Sequence, residues 1–180
     1  MKRFENTWQY LVYLRGAGNP DNQQYCDVCR PALVLCESLE DASKECKKYI
    51  QQNELGGGNW GGSFPNDVYQ SGHVFDLDGK LVKYISYNGR IWEPEIQAAL
   101  PAEFCLDVQF CSWNKWQVNQ LEANLRTVGA SYIMTEDWTG GMEDPAVITF
   151  VEISGRTVNQ LLAIAQQSSP YIHLTYVGLN

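Results

Sequence analysis

Residues 103–179 switch between two hydrophobic periods, two for a strand and about 3.6 for a helix, in the order strand, helix, strand, strand, helix, strand. That order is the βαββαβ pattern of ferredoxin-like domains, a scaffold that carries enzymes, small-molecule sensors and binding modules alike. Phe104, Leu106, Val108 and Phe110 alternate with Cys105, Asp107, Gln109 and Cys111, so the first strand has one apolar face and one open face. Asn114 and Gln117 are placed to cap a helix over 115–128, with Val118, Leu121, Leu125 and Val128 as its core stripe and Gly129 as its stop. Residues 131–135 and 146–153 predict the next two strands. Val158, Leu161, Leu162 and Ala165 mark the inner face of a final helix, and residues 171–177 close the sheet.

The first half predicts a smaller β-β-α-β-β unit. Aromatic and β-branched residues over 8–14 and the apolar run 32–36 read as strands, and Ser38 with Asp41 supplies the start of a helix that ends near Asn53. Leu39, Ala42, Cys46, Tyr49 and Ile50 form its apolar stripe, with Glu40, Lys44, Lys47 and Lys48 on the wet side. Asp78-Gly79 and Asn88-Gly89 then mark two tight turns between strand-like segments. The expected fold class is therefore α+β, with a small domain over 1–95 and a ferredoxin-like domain over 96–180.

Gly56-Gly57-Gly58-Asn59-Trp60-Gly61-Gly62 has the glycine density of a phosphate loop but the wrong order, because it follows a helix and precedes strands. A tight reversal that folds Trp60 onto the sheet is the better reading. Together with Ile85-Ser86-Tyr87-Asn88-Gly89-Arg90-Ile91-Trp92, this segment resembles parts of short uncharacterised proteins of bacteria, phages and plasmids, over roughly residues 38–93. The resemblance brings no activity and no catalytic residue. It implies an accessory protein of a mobile element.

Charge narrows the partners. The net charge is −8, and residues 96–180 hold only Lys115, Arg126 and Arg156 against eight acids, so a stripe able to neutralise phosphates is missing and direct nucleic-acid binding is not expected. A basic protein surface is the complementary partner. Residues 1–6 lack the apolar run of a secretory signal, and no stretch of about 18 apolar residues occurs, which together predict a cytoplasmic protein without membrane contact.

Three groups of residues carry the chemistry under consideration. Residues 136–144 contain Glu136, Asp137, Glu143 and Asp144 without a basic residue, and display Trp138 and Met142 between them; this is the composition of a partner-binding epitope, the plainer reading being a solvated loop whose Trp folds back. Cys105, Asp107 and His173 lie on the first and last strands of the expected sheet and offer a nucleophile and a base on its open face. Cys26 and Cys29 have the gap of a zinc half-site, but Cys36 and Cys46 sit on apolar faces and do not complete it. The leading expectation is a non-enzymatic interaction protein or inhibitor without cofactor, such as an anti-CRISPR, another anti-defence protein or a toxin-immunity protein, that binds a basic protein surface. A small enzyme or ligand sensor on the open sheet is the alternative, and a zinc-stabilised adaptor the second alternative.

Overall fold

The computed structural model describes residues 7–16, 32–60, 70–95, 106–112, 115–128, 132–137, 147–153, 157–169 and 172–179. The chain is α+β and divides into two compact units, one over Trp8–Leu100 and one that takes in Pro101–Asn180. No described helix is long and apolar enough to cross a membrane.

In the first unit, β1 (Tyr10–Leu14), β2 (Ala32–Cys36), β3 (His73–Asp76), β4 (Leu81–Ile85) and β5 (Ile91–Trp92) form an antiparallel sheet in the order β2-β1-β3-β4-β5. This is one strand more than the β-β-α-β-β reading. Ile91 and Trp92 pair with Ile85 and Tyr84 across the Asn88-Gly89 turn, the second hairpin that the turn residues marked but the β-β-α-β-β count left out.

Helix α1 (Leu39–Gln52) starts where Ser38 accepts the Asp41 backbone N–H at 3.1 Å, which satisfies one of the amides that a helix N-terminus leaves free. Its stripe buries Ala42 and Cys46 against Val12, Leu14, Cys36, Val74 and Ile85. Leu11 and Phe75 alternate with these residues, point to the opposite face, and are fully buried as well. A continuous apolar run such as Tyr-Leu-Val-Tyr-Leu in β1 is what burial on both faces requires.

The described part of the glycine-rich segment, residues 56–60, packs against the sheet. Gly57–Asn59 makes one 3-10 turn, Asn59 accepts the Gly56 N–H, and Trp60 enters the core under α1 at 5% exposure. Its indole N–H donates to the Ile85 carbonyl at 3.2 Å, and the Tyr87 hydroxyl donates to the Leu55 carbonyl at 3.2 Å. The two sequence segments that carry the resemblance thus interlock in the fold.

The second unit contains β6 (Leu106–Ser112), α2 (Lys115–Thr127), β7 (Tyr132–Asp137), β8 (Val147–Ile153), α3 (Val158–Ser168) and β9 (His173–Leu179). Its sheet has the order β7-β8-β6-β9 with every pair antiparallel. Leu121 and Leu125 of α2 are fully buried, as are Val158, Leu161 and Ala165 of α3 or nearly so, and the Asn124 amide donates to Ser168 Oγ at 2.9 Å between the two helices. Val128, expected in the core stripe, is 40% exposed instead. It follows the last residue of α2, where the helical periodicity no longer dictates its direction. Gln117, read as part of a helix cap, is buried and accepts a hydrogen bond from the Ser112 hydroxyl at the end of β6.

Candidate functional site

β3, β4 and β5 bring His73, Tyr84 and Trp92 into one row, because the register pairs His73 with Tyr84 and Tyr84 with Trp92. Val74 and Ile85 face α1, so their neighbours His73 and Tyr84 face the other side of the sheet. On that side lies a cavity of about 460 Å³, lined by this row together with Gln70, Glu93 and Glu95.

His73 forms its floor at 5% exposure, edge-on to Phe75 and Tyr84 at ring-centroid distances of 6.2 and 6.0 Å. A turn holds it: His73 N–H donates to the Gln70 carbonyl at 3.1 Å, and Gln70 N–H donates to His73 Nδ1 at 3.3 Å. With Nδ1 accepting, the ring hydrogen resides on Nε2. Burial pushes the imidazole pKa down and keeps the ring neutral. Tyr84 is also held in its neutral form, first by burial and further by the negative charge of Glu95. Trp92 is 51% exposed, its indole N–H donating to Ser86 Oγ at 3.2 Å. Glu93 forms an ion pair with Lys83 at the rim.

His73 makes stability depend on pH in a definite direction. Above about pH 6.5 the imidazole is neutral in both folded and unfolded chains; below it, the unfolded chain takes up a proton that the folded chain resists, so stability falls with pH until the depressed folded pKa is reached. His73→Gln is expected to flatten this fall. Urea midpoints at about pH 7.5 and about pH 5.5 test it, and an undiminished difference between the two in the variant would exclude His73 as the source.

The residues singled out in the sequence distribute differently. Cys36 and Cys46 are buried free thiols, each pushed up to about 12 chiefly by burial, which suits core packing and not metal binding. Cys26 and Cys29 lie outside the described residues. Among the described residues no group of three or more His, Cys, Asp or Glu could hold a metal ion.

For the open-sheet trio, Cys105 lies outside the described residues, and the β6–β9 register pairs Asp107 with Gly178 and His173 with Cys111. Asp107 and Cys111 are four residues apart on β6, a separation of roughly 13 Å at about 3.3 Å per residue. Glu136 and Asp137, expected in a connecting loop, are the last residues of β7 and pair with Thr149 and Ile148. The β-branched run of β8 supplies partners that extend the strand through both acids, and an edge strand tolerates them. Trp138, Met142, Glu143 and Asp144 lie outside the described residues.

Comparison with protein-family models, with curated proteins and with solved structures gives no match. The site is therefore read from its own chemistry. The sequence reading missed the His73 cavity, since its residues lie on three strands and only their register assembles them. The signal that could have pointed to it is one of two histidines in the chain standing within a strand-like apolar run.

Proposed function

We propose that this protein acts without catalysis, by binding a basic surface of another protein in the cytoplasm and occluding it. It belongs in this reading with inhibitors carried by phages and mobile elements, such as anti-CRISPR and other anti-defence proteins or toxin-immunity proteins. The second unit is read as a ferredoxin-like domain from residue 96 onward, a reading supported by its βαββαβ element order and by the strand order β7-β8-β6-β9.

One observation carries the functional reading. β7 and β8 remain paired out to Asp137 and Ile148, so the acid-rich segment 136–144 begins on an edge strand and continues into the connection at one end of the sheet. Four carboxylates without a base in that segment favour encounter with a positive surface, and Trp138 supplies apolar area of the kind that dominates interface energetics.

The test is affinity capture from the native host with the full chain and with a Trp138→Ala, Glu136→Lys, Asp137→Lys variant, each checked for folding by circular dichroism. The variant is expected to retain less than about a tenth of the captured partner, and wild-type capture is expected to weaken as salt is raised. Equal capture by a folded variant would remove this epitope.

A further inference from the structure

The cavity beside β5 belongs to the first unit and does not depend on the epitope in the second. Its polar groups form a pattern that the fold itself does not consume. His73 is only 5% exposed, and its Nε2–H has no hydrogen-bond partner among the described residues. A buried donor without an acceptor is costly, and such groups in native proteins call for an explanation. The Tyr84 hydroxyl, at the same floor, likewise meets no hydrogen-bond partner among the described residues. At the rim, the Glu95 carboxylate takes part in no ion pair or hydrogen bond with a described residue, whereas Glu93 is already engaged by Lys83.

These groups select a ligand by elimination. With Glu93 neutralised by Lys83, the Glu95 carboxylate repels phosphates and carboxylates, so the acceptor that meets His73 Nε2–H is neutral, a carbonyl or carboxamide oxygen. A free carboxylate beside the indole of Trp92 and the ring of Tyr84 favours a delocalised or alkylated cation, which gains from both the charge and the aromatic rings. The volume lies within the range of about 300–1,000 Å³ typical of small-molecule sites.

We propose that the cavity formed by His73, Tyr84, Trp92 and Glu95 binds an organic cation, a guanidinium or alkylammonium group carried on a body that also bears a neutral carbonyl acceptor. Such a group exists both in free metabolites and in the Arg or Lys residues of a polypeptide. The chemistry of recognition is the same for both sources. Trp92 is positioned in advance by its bond to Ser86, so binding does not need to order it.

The experiment titrates the full-length, isotope-labelled chain with Nα-acetyl-argininamide while following the indole N–H resonance of Trp92, identified by its loss in Trp92→Phe. Saturable shifts with a dissociation constant on the order of 1 mM or tighter are expected. Nα-acetyl-citrullinamide, which replaces the guanidinium by a neutral urea, is expected to bind at least about threefold more weakly, and Glu95→Gln to reduce argininamide binding by a similar factor. The source is read from acetyl-Gly-Arg-Gly-amide: tighter binding than the acetylated amide indicates a polypeptide ligand, weaker binding a free small molecule. The proposal is overturned by the absence of Trp92 shifts up to about 20 mM, by equal binding of the citrulline analogue, or by unchanged affinity in a folded Glu95→Gln variant.

Discussion

Gly72→Ala is expected to destabilise the Trp8–Leu100 unit by more than about 3 kcal/mol, which is a large part of the stability of an ordinary domain. Gly72 has φ +85°, in the left-handed region that side chains rarely adopt, and a Cβ there would lie 2.0 Å from the Ile85 carbonyl oxygen. That oxygen is backbone and cannot swing aside. Gly72 N–H donates to the Tyr13 carbonyl and its own carbonyl accepts the Ile85 N–H, both at 2.8 Å, so any retreat loosens β1, β3 and β4 together. Gly89 provides the contrast: its φ is similar at +79°, but the atom nearest a new Cβ is Cε of the Lys47 side chain, which can move. Gly89→Ala is therefore expected to cost about 1–2 kcal/mol. Urea unfolding followed by tryptophan fluorescence compares the two, and a Gly72→Ala loss no greater than that of Gly89→Ala would refute the clash argument.

Trp60→Ala is expected to cost about 3–5 kcal/mol, the range for a large aromatic removed from a core. The ring packs among Val12, Leu14, Cys46 and Ile85 and lies 6.3 Å from the Tyr49 ring between centroids. Its deletion also leaves the Ile85 carbonyl without the indole donor, in a place where Gly72 holds the same residue from the amide side. Trp60→Phe separates the contributions, because it keeps most of the apolar area and loses the hydrogen bond, for an expected loss of about 1–2 kcal/mol. A loss below about 1 kcal/mol for Trp60→Ala would mean that Trp60 does not hold α1 to the sheet. Both substitutions act at Ile85. The described part of the glycine-rich segment and the strand-turn-strand segment that follows it are therefore coupled by packing.

The elements were legible because their signals are local. The Ser38 cap, the stripe Ala42–Cys46 on α1, the strand Ala32–Cys36 and the inner face of α3 follow from spacing within a few turns, and the structure places the described members of each where the spacing does. Trp60 in the core was legible as well, since a reversal after a helix leaves an aromatic residue little else to cover. Val128 was not, because a stripe read from periodicity runs on past the residue at which the helix stops. Glu136 and Asp137 as strand residues were missed for a different reason. Both residue types are depleted in strands, and the pairing that overrides this comes from residues Thr149 and Ile148 on another strand.

The sequence by itself determined the α+β class, the order of the helices and most of the strands, and the acidity of the segment 136–144, because hydrophobic period, caps and charge are properties of neighbouring residues. Only the tertiary structure decided that His73, Tyr84 and Trp92 stand side by side and that Glu95 borders the cavity. Those facts depend on strand register, which the irregularity between Val74 and Phe75 and the turns on either side of β4 set jointly. A shift of one residue would send each of these side chains to the opposite face of the sheet.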